Sequence, residues 1–384
     1  MKIEYMKNFS ERNHFYINTI LVVFILILFF CLSYPQEERG LDISGYFQSG
    51  VGIAHTIRDN ALSNTFYAGK STLRLNFANK DIEFAKFEGS IDFNILYGMY
   101  ANLYYSQSNS IKIGEETVLA MDVRKLYLML KPDFCDLYIG RQLIKFGEGF
   151  VFSPLNPFSI IDFTDINFTR PGVDGVRIKF PFSEMGYFEA ITLPRSDFTN
   201  SDIATRLGFN AFEWDFSFAG YYRGKYGYTS AGFSFKGDAI LGVYGEFVYH
   251  YKDEESKRFY NLMVGGDYSF LDKFIVRMEY YYHCFDTDNL SALELANSPV
   301  YPFVSKQYLM AQIVFSPTLI DSFSLSYIDN LESDSGLLLF LYQRNLYQNV
   351  NLLFNVRYSL KDLTGIGMVN FDLLYYSLEF QILY

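Results

Sequence analysis

Alternation of apolar and polar side chains recurs along almost the whole chain. Phe87, Gly89, Ile91 and Phe93 oppose Lys86, Glu88, Ser90, Asp92 and Asn94, and Phe212, Trp214, Phe216 and Phe218 oppose Glu213, Asp215 and Ser217. Likewise Tyr260, Leu262, Val264 and Tyr268 oppose Asn261, Gly265 and Asp267, and Leu352, Phe354, Val356 and Tyr358 oppose Asn351, Asn355, Arg357 and Ser359. The chain ends in the same way: Tyr376, Leu378, Phe380, Ile382 and the terminal Tyr384 share one face, Ser377, Glu379 and Gln381 the other. A period of two belongs to strands with one greasy and one wet face, and no helical period follows Leu41. Strands are expected near residues 43–55, 70–79, 84–97, 120–131, 135–146, 172–181, 186–195, 202–209, 212–224, 228–237, 240–252, 258–271, 273–285, 304–316, 319–330, 336–346, 348–360 and 371–384, about 18 in all.

Alternation alone suits a soluble sandwich, whose apolar faces meet in one core, as well as a membrane barrel, whose apolar faces meet lipid. Three features favour the barrel. Many segments run about ten to fourteen residues, longer than the usual soluble strand and matched to a tilted crossing. Aromatics gather near strand ends, at Tyr221 with Tyr222, Tyr249 with Tyr251 and Tyr280 to Tyr282. These suit an interfacial girdle of tyrosine, since Trp214 is the only tryptophan. Long and short connections also alternate. Asn79-Lys80-Asp81, Lys131 to Phe134, Lys236-Gly237-Asp238 and Leu271-Asp272 are brief, whereas 57–69, 98–119, 147–171, 286–303 and 330–335 are long.

Short periplasmic turns, long outside loops and an even strand number are the expected outer-membrane topology. The fold expected is therefore all-β: one transmembrane antiparallel up-and-down β-barrel over residues 41–384, with both termini periplasmic. A ring of about 18 strands leaves a water-filled lumen unless something folds into it. The last strand should close the ring against 43–55, with Glu379 and Gln381 facing the lumen. Its aromatic end, with Tyr376, Leu378, Phe380, Ile382 and Tyr384 on one face, resembles the C-terminal signal that bacterial outer-membrane barrels present to their assembly machinery. That resemblance implies outer-membrane lipid and the barrel assembly machinery as partners, and leaves a homo-oligomer open.

Composition adds the address. Lys2, Lys7 and Arg12 precede the single stretch apolar enough for a membrane helix, Ile20 to Leu32, and Cys31 and Ser33 stand at the small-residue positions before a cleavage point. Residues 1–33 read as a cleaved secretory signal, followed by a short segment, 34–40. An uncleaved anchor is the alternative. Lipidation at Cys31 is opposed by Phe29 and Phe30, which stand where small residues are wanted. The formal charge is −11; without the signal it is about −12, which argues against nucleic acid as partner. Of the three cysteines, only Cys135 and Cys284 remain after cleavage, at opposite ends in this topology, so no disulfide or cysteine metal site follows. The histidines His14, His55, His250 and His283 are too scattered for a metal cluster, and no cofactor is expected.

The connection 147–171, about 25 residues, is beyond the usual length of a structureless loop. Phe150, Val151, Phe152, Phe158, Ile160, Ile161, Phe163, Ile166 and Phe168 need a burial place, while Pro154, Pro157 and Pro171 preclude regular pairing. The loop is expected to fold into the lumen and narrow it, presenting Phe150, Phe152, Pro154, Asn156, Pro157, Phe158, Asp162, Phe163 and Asp165. Packing on the rim or a neighbouring subunit, or a mobile lid, are the other readings. Gly140-Arg141-Gln142, Phe146-Gly147-Glu148-Gly149, Pro154-Leu155-Asn156-Pro157 and Arg170-Pro171-Gly172-Val173-Asp174-Gly175 together resemble porin-like outer-membrane proteins of the alginate-export type and related barrels. The resemblance covers Asp136 to Phe180. It implies a porin-type barrel without naming a solute, because an exporter of anionic polysaccharide should have a strongly basic lumen.

The polar faces offer no such excess. Arg74, Lys125, Arg141, Arg177, Lys179, Arg277 and Arg357 face Glu88, Asp92, Glu213, Asp215, Glu246, Asp267, Glu279 and Glu379, a mixed wall that predicts weak cation preference or none. Other motifs are set aside. Gly69-Lys70-Ser71 looks like the end of a phosphate loop but is followed by a strand where a helix is required. Asp286, Asp288 and Asn289 lack the glycine and final Glu of a calcium loop. No local triad suggests an enzyme. The expected function is passive passage of small hydrophilic solutes; a structural or adhesive barrel and an importer of hydrophobic substrates are the alternatives.

Overall fold

The computed structural model describes residues 40–58, 61–79, 84–101, 110–158, 170–252, 257–286, 303, 305–361 and 372–384. Residues 1–39, the expected signal included, lie outside the described residues. The strands are β1 (Leu41–Arg58), β2 (Ala61–Asn79), β3 (Ala85–Gly98), β4 (Ser110–Gly114), β5 (Thr117–Leu130), β6 (Asp136–Gln142), β7 (Val173–Ser183), β8 (Gly186–Leu193), β9 (Asp202–Ala211) and β10 (Trp214–Arg223). They continue with β11 (Tyr228–Asp238), β12 (Gly242–Lys252), β13 (Lys257–Phe270), β14 (Phe274–His283), β15 (Gln307–Phe315), β16 (Asp321–Asn330), β17 (Ser335–Tyr347), β18 (Val350–Leu360) and β19 (Asp372–Leu383).

Each wall strand pairs antiparallel with its neighbours, and β19 returns to β1, so the sheet closes without an edge. The short β4 pairs only with one end of β5, leaving a closed 18-strand barrel. The closing seam joins the expected strands, the last to the first. Gly50 stands opposite Glu379 and Tyr46 opposite Leu383, and Gln48 Nε2 donates to Glu379 Oε2 at 2.5 Å inside the barrel. Glu379 also accepts from Asn355 Nδ2 at 2.8 Å and Ser377 Oγ at 2.7 Å, so its carboxylate ties three neighbouring strands.

All 18 expected strands are present, with three differences at their ends. The 57–69 connection is mostly strand: β1 runs to Arg58 and β2 starts at Ala61. Likewise β4 lies inside the expected loop 98–119. A strand that projects beyond the membrane is wet on both faces, so its backbone pairing persists where the alternation that betrays it fades. Conversely β6 stops at Gln142 instead of 146, because the chain leaves the wall there and turns inward. The two cysteines are free, Cys135 in the β5–β6 turn and Cys284 just past β14, at opposite ends of the barrel.

The outer face carries the apolar set. Leu378, Phe380 and Ile382 of β19 are exposed, as are Phe218, Phe233, Val264, Ile313 and Leu325 on other strands. The inner face is polar and largely filled: Asp92, Glu189, Ser234, Glu246, His250, Asn261, Glu279, His283 and Gln312 are all buried.

Candidate functional site

A barrel wall of polar side chains cannot fill its own interior, so what fills it defines the site. After β6 the chain, from Leu143 onward, packs on the inner face of the opposite wall. Its anchors are two glutamates, Glu246 on β12 and Glu279 on β14, each about 1 % exposed. Glu246 accepts from the main-chain N–H of Gly149 at 2.7 Å and of Leu155 at 2.8 Å, and from Ser153 Oγ at 3.1 Å. Glu279 accepts from the N–H of Phe150 at 2.5 Å, Val151 at 2.9 Å and Phe152 at 3.0 Å, and from the Tyr244 hydroxyl at 2.9 Å. A carboxylate that gathers several donors in a dry site makes hydrogen bonds of the strong, charge-assisted kind. β6 and β14 are eight places apart in the ring, so these bonds hold the segment nearly across the lumen from where it left the wall. Arg170, where the connection is described again, lies within electrostatic reach of both carboxylates.

The sequence permits this approach through glycine. A Cβ on Gly147 would run into the Glu246 carboxylate, and one on Gly149 into the Phe152 carbonyl and Met263. Apolar packing completes the hold. Val151 and Phe152 are buried among Tyr244, Met263, Tyr281, Phe303, Tyr308, Met310 and Ile328, with the Phe152 ring stacked on Tyr281 at 5.4 Å and edge-on to Phe303 at 5.1 Å. Ile144, Phe146 and Leu155 pack on Ile191, Ala204, Ala219, Tyr221 and Val248. Fully burying such a side chain stabilises by about 1.5–3 kcal/mol. Arg206 of β9 clamps the root of the segment: its guanidinium donates to Ser217 Oγ at 2.8 Å and to the Lys145 carbonyl at 3.0 Å, and lies over the Phe146 and Tyr187 rings. Burial lowers the pKa of the Lys145 ammonium, against the favourable field of Glu148.

Of the residues expected in the constriction, Phe150 has its ring under the Arg277 guanidinium at 4.1 Å. Phe152, Pro154 and Asn156 are buried, and Pro157 and Phe158 half-buried, Phe158 edge-on to Phe146 at 5.7 Å. Asp162, Phe163 and Asp165 lie outside the described residues.

The expected wall residues form pairs. Arg74 makes two bonds of 2.6 Å to Asp92, with Arg124 at 4.0 Å from the same carboxylate. Glu88 accepts from Lys125 at 2.7 Å and Tyr127 at 2.5 Å. Arg141 pairs with Asp174 at 3.3 Å, Arg177 with the buried Glu189, and Arg277 with Asp267 at 3.9 Å and Gln312 at 2.9 Å. Lys179 sits over the Tyr187 ring at 4.2 Å, and Arg357 stands opposite Leu339 and Tyr375. Glu213 is not on the wall but in the β9–β10 turn. Sequence reasoning placed Glu246 and Glu279 on the wall without their task as amide acceptors. It also missed Ser153, Tyr244, Arg206 and Phe303. The run Phe146 to Asn156, with two glycines amid apolar residues, was the one signal of close main-chain approach.

A cavity of about 210 Å³ is lined by Glu148, Tyr187, Arg206, Asp215, Ser217 and neighbouring residues. Tyr376 on the outer face bonds His55 at 3.1 Å, and Tyr384 is half-exposed with its hydroxyl on the Arg74 carbonyl.

The fold is a closed antiparallel barrel with a segment packed on its inner face, and solved porin structures share the barrel. OpdQ of Pseudomonas aeruginosa superposes with a TM-score of 0.58 at 9% identity, over 90% of this chain and 97% of that one. OccK2 (OpdF) of the same species gives 0.59 at 10% identity, over 89% and 98%, and a BenF-like porin from Pseudomonas fluorescens Pf-5 gives 0.59 at 10%, over 90% and 99%. Identity this low speaks for the fold alone. It supports the porin-type barrel, and lends nothing to the resemblance to alginate-export-type proteins over Asp136 to Phe180. No protein-family model matches the sequence, and no curated sequence matches it.

Proposed function

We propose that the protein is a passive outer-membrane channel for small hydrophilic solutes, its bore narrowed by the segment 147–171. The observation that carries this reading is the set of main-chain amides of residues 149–155 seated on Glu246 and Glu279. A segment fixed across the lumen by six or more hydrogen bonds narrows the passage without a moving plug. Its apolar side chains are turned to the wall in packed clusters, which favours hydrophilic over hydrophobic cargo. The paired charges of the inner wall give solutes polar partners along the way without one dominant sign. Planar bilayers provide the test. The whole protein should give steady conductance that rises when residues 149–158 are deleted, or when Glu246 and Glu279 are both replaced by Ala should the deletion not fold. A barrel that stays closed in every form would sink the channel reading.

A further inference from the structure

At one end of the barrel the turns are short, two to five residues where described, and most of them share a composition that neither the lumen nor the strands explain, the polar Gln348-Asn349 turn excepted. Six of them present a large apolar side chain to the surface: Phe134, Met185, Phe212, Ile240, Leu271 and Leu319 are all exposed, Phe212 at 94 % and Ile240 at 88 %. Carboxylates flank them, Asp133, Glu184, Glu213, Asp238 and Asp272, and Lys131, Lys236 and Lys273 stand beside these. A turn in water has no use for such side chains, and a run of exposed apolar tips on one rim marks a contact surface. Two tips also pay in backbone. Phe212 (φ 56) and Leu271 (φ 54) hold bulky side chains in the left-handed region, where Gly or Asn would sit with least strain.

The crown is continuous with the lipid-facing band. Trp214, next to the Phe212 turn, packs on Phe235 at 6.1 Å. An outward row of rings, Phe270, Phe274, Phe315, Phe323 and Tyr342, runs strand to strand along the same rim, with centroid spacings of 4.7, 4.4, 6.2 and 4.7 Å. Leu271 is adjacent to this row in sequence and Leu319 lies between two of its members. An aromatic row of this kind marks the headgroup level of a bilayer. Tips at its edge are therefore at the boundary between headgroups and acyl chains, and the carboxylates and ammonium groups around them match a headgroup that itself carries an ammonium and a phosphate.

We propose that the short-turn crown is an interaction surface for zwitterionic phospholipid, immersed in the interfacial layer of the leaflet it faces instead of standing in water. The proposal rests on the membrane-barrel reading but not on conductance. The test moves the single tryptophan onto a tip, in two full-chain variants folded into vesicles: Phe212→Trp with Trp214→Phe, and Leu319→Trp with Trp214→Phe. The second tip lies outside the left-handed turns, so it keeps the test alive if the first variant does not fold; folding is read from heat-modifiable gel mobility. In phosphatidylethanolamine–phosphatidylcholine vesicles the tip should emit to the blue of its emission in urea. Lipids brominated near the headgroup should quench it at least twofold more than aqueous iodide does, and phosphatidylglycerol vesicles should reduce that shielding. A folded, conducting barrel whose tip tryptophan emits as in water and is quenched only by iodide overturns the crown while leaving the channel intact, and would direct attention to a periplasmic protein as the occupant. Equal shielding in phosphatidylglycerol overturns the headgroup assignment.

Discussion

Glu279 is the residue on which most of the interior depends. It accepts three consecutive main-chain amides and a tyrosine hydroxyl with about 1 % of its surface exposed. Glu279→Ala strands those donors, and each buried donor left without a partner costs about 1–3 kcal/mol. The expected outcome is a folded barrel whose single-channel traces become noisy and whose mean conductance rises, with Glu279→Gln intermediate because its amide oxygen still accepts. Phe152→Ala acts on the same hold through packing. It removes a fully buried ring from a cluster of aromatics, a loss of about 3–5 kcal/mol. Limited proteolysis should then cut within residues 147–158 at protease concentrations that leave the unaltered protein whole. If both variants conduct and resist protease as the parent does, the segment is not held by these contacts.

Among the elements, β19 has two tasks on two faces. Outward, Leu378, Phe380 and Ile382 are exposed; inward, Glu379 joins Gln48 of β1 to Asn355 of β18. Replacing Phe380 and Tyr384 by Asn should reduce the heat-modifiable barrel recovered from membranes several-fold, whereas the same change at two apolar positions of a long loop should not. Equal recovery of both would refute the reading of β19 as the assembly signal. Across the seam, Gly50 leaves room for the Glu379 side chain, whose methylenes a Cβ at that position would meet. Gly50→Val is expected to slow closure, seen as a lower folded fraction at early times in refolding into detergent micelles.

For the whole molecule, the balance of inner charge decides ion preference. Among the described wall residues, Asp92, Glu88, Glu189 and Asp267 each have a cationic neighbour within 4 Å, while Glu246 and Glu279 are engaged by amides and keep their charge, a mixed set that leans slightly acidic. Reversal potentials under a KCl gradient should lie near zero or slightly on the cation side, and strong anion selectivity would reject this balance.

The period of two determined the class, the strand count and, with the alternation of long and short connections, the topology, because a tilted wall strand between lipid and water must change face at every residue. It also assigned Phe380 to lipid and Glu379 to the lumen. It could not show where β1 and β2 stop, since pairing outside the membrane needs no alternation, nor where the apolar side chains of the β6–β7 connection are buried. That was decided by tertiary structure alone. Phe152 meets Tyr281 and Phe303, and Gly149 meets Glu246, over sequence separations no local pattern spans, and only closure of the ring brings β12 and β14 to face the chain leaving β6.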